Sequence, residues 1–493
     1  MHASAAVRTS FGFVGLAILC IFFADIQITT QEPWTEMGRL GLGILTPDFG
    51  AVERLGNALV QTVAFAVLGV FAGGVIGFTL ALVYHFAPVR PFCAFIRSIH
   101  EIFWALIFLQ GFGLTPVTGV LAIAIPYAGI FAKVYSEILE EADISALRAV
   151  PHGAGHLATF VYVRVPDVYA TLKTYTFYRL ECGLRSSAVL GFVGLPTLGF
   201  HLDSAFKQGH YSEVSALLIL FYLLIATIRV WARPRIAGLY VVAAPFFLHG
   251  ETTISFDNVV RFFTEDIVPT PLKNADVFDL SALSAFGDWF GTIFTEQALP
   301  GIGATLLLTQ IALVGSGILT LAFFPLVSSR FFGKFGRNTG HIFLVIVRST
   351  PEYILAYVLL QLWGPSMLPA IVALSLHNGA IIGHLIGRHT EEMQKRPDSP
   401  RGLDLYAYEA LPRIYGQFLA FLFYRWEVIL RETAILGILG VTTLGFYIDN
   451  AFEDIRFDVA LVLILITAML NICVDIISRA LRTRLRLSTT SDL

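Results

Sequence analysis

Residues 177–206 and 423–452 align without a gap at an offset of 246, and 17 of the 30 positions are identical. Each copy opens on a string that sets charges inside apolar sequence, "FYRLECGLRSSAVLG" at 177–191 and "FYRWEVILRETAILG" at 423–437. A second match runs at offset 251. It pairs "RSIHE" (97–101) with "RSTPE" (348–352), Gln110 with Gln361, and Glu140-Glu141 with Glu391-Glu392. Self-similarity at a fixed offset marks one structural unit used twice. The chain is therefore expected to fold as two copies, residues 1–233 and 234–493, in tandem.

The medium is set by composition. The 493 residues are 56% hydrophobic and 14% charged, where soluble domains run at about 45–50% and about 25%. That predicts an all-α polytopic membrane protein. Apolar stretches fit to span hydrocarbon occupy 11–28, 56–84, 99–113, 115–136, 167–192 and 212–232, then 235–249, 299–327, 341–363, 366–387, 413–439 and 457–478. Six spans per copy make about twelve, with both copies pointing the same way, as in a parallel repeat. The first run is read as a retained helix because a comparable one, "IAGLYVVAAPFFL" (236–248), opens the second copy. With the N-terminus cytoplasmic, the predicted cytoplasmic segments hold 22 Lys and Arg and the predicted outer segments 6, and that bias sets the orientation. Both termini are then cytoplasmic. The acidic segment 250–298 falls outside as a solvated loop or a small docking surface. Cys20, Cys93, Cys182 and Cys473 form no CxxC pair and are expected to be buried, small and apolar.

Charges at mid-bilayer cost a few kcal/mol each and usually face a bundle interior or an aqueous cavity. Glu181 and Arg185, like Glu427 and Arg431, stand four apart and share a helix face suited to a salt bridge. Arg179 and Arg425 are left over on another face. Two roles are open for Arg179, Glu181, Arg185, Ser187, Arg425, Glu427, Arg431 and Thr433. They line the path of an anion, whose oxygens guanidinium suits, or they form a lock between helices.

The longest inner loops lie at 137–166 and 388–412. In the first, Ile144, Leu147, Leu157 and Phe160 offer an apolar face of the kind a soluble partner grips. Pro166 and Pro412 suit the first turn of the helix that follows each loop. His152 and His156 are four apart, but their Gly and Pro neighbours argue against a metal-binding helix, so no metal site is expected. Gly73, Gly74 and Gly77 suit close helix packing.

The spacing from Gly153 to Pro166, with Val163 and Val165 between, resembles the coupling-loop motif of ABC importer permeases. More narrowly, "RSIHEIFWALIF" (97–108), "GVLAIAIPYAGIFAKVYSEILEEAD" (119–143) and "YTFYRLECGLRSSAVLGFVG" (175–194) resemble the phosphonate ABC transporter permease family. Its hallmark, Tyr-Arg-x-Glu-x-x-x-Arg-x-Ser/Thr, falls on Tyr178, Arg179, Glu181, Arg185 and Ser187, and again on Tyr424, Arg425, Glu427, Arg431 and Thr433. Departures are plain. Leu147-Arg148-Ala149 stands where the motif has Glu-Ala-Ala. Ser399 takes the glycine position of the second loop, with Gly402 nearby. The turns after the hallmark read "GLPTLG" and "GVTTLG".

The resemblance implies a type I ABC importer (MetI-like) permease fold, with both halves of the pore on one chain. It implies two ATPase subunits gripping coupling loops that include Glu140, Glu141, Ala149, Gly153, Pro166, Glu391, Glu392, Gly402 and Pro412. A periplasmic or tethered binding protein would deliver a phosphonate or related phosphorus oxyanion across a bacterial inner membrane. The chain holds no G-x-x-x-x-G-K-[ST] string, so ATP and Mg²⁺ are expected on the partners and the chain is expected to be no enzyme. The alternative is a secondary active transporter of a small anion with six-plus-six helices. It is disfavoured because the longest inner loops lie within the copies rather than between them.

Overall fold

The computed structural model describes all residues except 1–4, 31, 52–54, 143–149, 151–153, 249–253, 274–279, 395, 397 and 488–493. Among the described residues every regular element is helical and no strand occurs. Helices of ten residues or more are α1 Ala5–Ile21, α2 Pro33–Leu45, α3 Leu55–Leu82, α4 Val89–Ser98, α5 Glu101–Phe112, α6 Pro116–Glu141, α7 Val165–Val189, α8 Leu198–Lys207, α9 Tyr211–Ala226 and α10 Ala237–Phe247. The second set is α11 Leu280–Ile293, α12 Leu299–Phe323, α13 Lys334–Ser349, α14 Glu352–Trp363, α15 Met367–Glu392, α16 Leu411–Ile438, α17 Leu444–Glu453 and α18 Phe457–Arg484.

Each of the twelve stretches read as a span holds a helix. By length and apolar composition alone, five described helices suffice to cross a membrane, or up to eight if each bent pair is one span. Ala5–Ile21, Tyr211–Ala226 and Pro234–Phe247 are shorter apolar helices. α16 is 28 residues long but carries the hallmark charges. Two of the bent pairs, α4–α5 and α13–α14, turn by 89° and 92°. The stretch expected as an outer loop is helical over its second part. α11 runs on through α12 as one helical stretch, Leu280–Val327, with Phe286, Phe290 and Phe294 stacked one turn apart.

Packing divides the chain into two compact units, Arg39–Asp266 and Met1–Gly38 with Ile267–Leu493. In the first, α3 packs along α6 and α7, α4 and α5 pack on α6, and α10 lies against α3. In the second, α12 packs along α15 and α16, α13 and α14 pack on α15, and α1 lies against α12. The repeat boundary at 233/234 separates sequence copies. The packing units instead each take in the opening helix of the other copy.

Glycines permit the central contact of each unit. On α3, a Cβ added at Gly77 would lie 2.4 Å from Phe131 Cβ of α6, whereas Gly74 meets nothing closer than 3.9 Å. In the second unit a Cβ at Gly379 of α15 would lie 2.8 Å from Leu319 Cβ of α12, and one at Gly315 of α12 would meet Ser375 of α15. Backbones approach this closely only where side chains are absent. Cys93 is buried as expected, but Cys473 is exposed on α18. A helix surface that meets lipid needs no burial to be apolar.

Candidate functional site

The hallmark helices end in hairpins that glycine makes possible. After α7 the chain turns through Gly194 at φ 94°, and after α16 through Gly440 at φ 89°. A Cβ on Gly199 would lie 1.8 Å from Ala188 O, and one on Gly445 would lie 2.1 Å from Ala434 O. The "GLPTLG" and "GVTTLG" strings therefore build one shape despite their differences. A threonine from the neighbouring long helix fixes each return helix. Leu198 N donates to Thr62 Oγ1 at 2.9 Å, and Leu444 N donates to Thr305 Oγ1 at 3.0 Å.

The sharp bends bring the two repeated blocks together. Glu101 and Glu352 each occupy the first helical position after a bend, where a carboxylate favours the positive helix end. In the first unit, Ser186 Oγ on α7 donates to Glu101 Oε1 at 2.7 Å, and Tyr127 Oη on α6 lies 3.2 Å from Ser186 Oγ. Arg179 Nε donates to Tyr175 Oη at 2.8 Å, and its guanidinium lies over the Tyr175 and Tyr178 rings at 5.2 and 5.7 Å. The pair expected between Glu181 and Arg185 is not formed among the described residues. Arg185 Nη2 instead reaches Cys182 Sγ at 3.6 Å.

The second unit has a denser cluster. Arg425 Nε donates to Asn378 Oδ1 at 2.7 Å, and Asn378 Nδ2 donates to Glu432 Oε2 at 2.9 Å. Arg425 Nη2 stands 3.5 Å from Glu432 Oε1. His377 Nδ1 lies 2.9 Å from Thr350 O, and His377 Nε2 lies 3.8 Å from Glu352 Oε2. Glu427 and Thr433 are buried in the same helix. The leftover arginine of the sequence thus meets a neighbouring helix, through residues that sequence reasoning did not select. At offset 246 Glu432 replaces Ser186, and at offset 251 His377 and Asn378 replace Pro126 and Tyr127.

Of the expected loop residues, Ala149 and Gly153 lie outside the described residues, as do Ile144, Leu147, His152 and the side chain of Leu157. Glu140 and Glu141 are exposed at the end of α6. Pro166 and Pro412 sit in the first turns of α7 and α16. The second loop is tied down at several points. Glu391 accepts from Ser329 N at 2.9 Å and Ser329 Oγ at 2.6 Å. Glu409 Oε1 accepts from Ser399 Oγ at 3.1 Å and from Arg413 Nη1 at 3.2 Å. The Tyr406 ring stacks on Phe324 at 5.3 Å, and Gly402 turns at φ 66°. Glu392 lines a cavity of about 390 Å³ with Arg337, His341 and Arg388.

No family model matches the chain, and no solved structure matches it. Among curated proteins, the phosphate-import permease protein PhnE of Mycolicibacterium smegmatis is 24% identical over 90% of this chain and 88% of its own length. The putative cryptic phosphonate transport system permease protein PhnE2 of Escherichia coli is 32% identical over 20% of this chain and 83% of its own length. The chain belongs to the phosphonate transport permease family. A further relative of this permease, the phosphite transport system permease protein PtxC of Stutzerimonas stutzeri, is 26% identical over 45% of this chain and 84% of its own. The relatives are transport permeases and not enzymes. With its apolar helices, the permease is a multi-pass membrane protein.

Proposed function

We propose that the chain is the membrane subunit of an ATP-driven importer for a phosphorus oxyanion and supplies both halves of the pore. The observation that carries this reading is the match along 90% of the chain to a phosphate-import permease. Two ATPase subunits would dock on the loops after α6 and α15 and would hold the ATP and Mg²⁺. A binding protein would present the anion on the outer side of the inner membrane. The bias of Lys and Arg supports cytoplasmic termini.

Within this reading the hallmark charges serve as a lock. Arg425, Asn378 and Glu432 join α15 to α16 by charge-assisted hydrogen bonds, which are about twice as strong as neutral ones. An importer fed by a binding protein needs little affinity along its pore, so arginines committed to structure are no handicap to it.

The test is uptake of phosphate, phosphite and a phosphonate into vesicles holding the chain with its partner subunits. Vanadate is expected to stop uptake, and an uncoupler to leave it intact. Uptake abolished by the uncoupler alone would overturn the ATP-driven reading in favour of secondary transport.

A further inference from the structure

Three helices of the second unit each contribute one metal-ligating side chain to a common point: Glu352 from α14, His377 from α15 and Glu432 from α16. One ligand atom of each lies within 4.8 Å of the other two. We propose that this cluster is a binding site for a divalent cation of the nitrogen- and oxygen-liganded class, Zn²⁺ foremost, which pins α14, α15 and α16 together.

The imidazole is set up for the task. Its Nδ1 lies 2.9 Å from the Thr350 carbonyl, which accepts the ring proton at that nitrogen and turns the Nε2 lone pair toward Glu352. Metal-ligating histidines are oriented in this way by a carbonyl or carboxylate on the far nitrogen. Ligand atoms of a tetrahedral ion with bonds of about 2.0–2.1 Å stand about 3.4 Å apart. The His377–Glu352 separation of 3.8 Å therefore closes with a small side-chain adjustment. Three protein ligands also leave a fourth position for water, as in open zinc sites. Access is from the carboxylate side, since the Glu352 and Glu432 side chains are 13% and 11% exposed against 2% for His377.

Arg425 and Asn378 do not occupy the site. They donate to the two oxygens of Glu432, and a carboxylate has about four lone-pair positions, enough to bind an ion as well. The two units also differ in their ligating side chains at this point. The first unit has one carboxylate here, Glu101, answered by Ser186. The second has two, Glu352 and Glu432, with His377 between them in the cluster. A fold that tolerates Ser186 and Pro126 at the matching positions does not require the extra acid and imidazole for packing.

The experiment uses the full purified chain in nanodiscs, stripped with EDTA, then loaded with Zn²⁺ and desalted. One Zn²⁺ per chain is expected by elemental analysis, with a rise in melting temperature. His377→Gln and Glu352→Gln should each lower the zinc affinity at least about 10-fold, and Glu432→Ser, which copies the first unit, should do the same. No zinc retained by the unaltered chain would overturn the proposal, as would zinc retained equally by folded His377→Gln. Co²⁺ loaded on the unaltered chain gives a reading that no variant's folding can confuse. Weak ligand-field bands without thiolate charge transfer are expected. A thiolate band would place the ion on a cysteine and overturn the assignment.

Discussion

Arg425 on α16 donates through Nε to Asn378 Oδ1 on α15 at 2.7 Å, and the same asparagine donates onward to Glu432, seven residues along the arginine's own helix. Asn378 thereby closes a bridge between two charges nearly two helical turns apart. Arg425→Ala or Asn378→Ala should lower stability by about 1.5–3 kcal/mol, the range for hydrogen bonds to charged groups. A double mutant that loses less than the sum of the two would show the coupling. Strict additivity in thermal melts would sink the bridge as an energetic unit.

The hairpin glycines set a steric limit. Gly199→Ala and Gly445→Ala drive a methyl into the Ala188 and Ala434 carbonyls, and overpacking of this kind costs about 1–3 kcal/mol or more. Neither variant should elute as a monodisperse peak in detergent. Gly303, on α12, has nothing within 4 Å of an added Cβ, so Gly303→Ala should gain up to about 1 kcal/mol from helix propensity. Equal behaviour of the three variants would contradict the hairpin geometry.

Thr62 and Thr305 are predicted to be equivalent. Replacing either by Val keeps the shape and strips the acceptor from a buried backbone N–H of the return helix. A cost of about 1–3 kcal/mol is expected for each, measurable as a drop in melting temperature. Thr62→Ser and Thr305→Ser should restore most of it.

The loop after α15, proposed to dock an ATPase subunit, should fail in a particular way. Tyr406→Ala removes the stack on Phe324, and Glu409→Ala releases Ser399 and Arg413 together. Both variants should leave the membrane bundle folded while reducing transport-stimulated ATPase activity when partner subunits are added. Full stimulation by both would show that the loop's anchorage is irrelevant to coupling.

Much of the architecture was legible because it depends on local pattern. Apolar runs of helical length put helices at all twelve expected places, and Pro166 and Pro412 lie in the first turns of α7 and α16. What was not legible depends on where helices meet. The i, i+4 spacing of Glu181 and Arg185 suggested a pair along one helix, but Arg185 turns to Cys182 instead. Glu432 stood in plain view beside Arg431, yet nothing local ties it to His377 and Asn378, more than fifty residues earlier. The bends of about ninety degrees between "RS" and the following Glu are equally non-local. They swing Glu101 and Glu352 onto their partners. Thr62 and Thr305 correspond at an offset of 243, which neither sequence alignment at 246 or 251 contains.

The exchange of opening helices bears on how such a duplicated gene can change. Helix α1 is encoded with the first copy but packs on α12 of the second, and α10 is encoded with the second but packs on α3 of the first. A mutation on either opening helix must find its compensating change in the other half of the gene. The copies are free to drift apart in sequence, as His377 and Glu432 show, but neither half can be inherited, replaced or expressed alone without depriving a bundle of one of its walls.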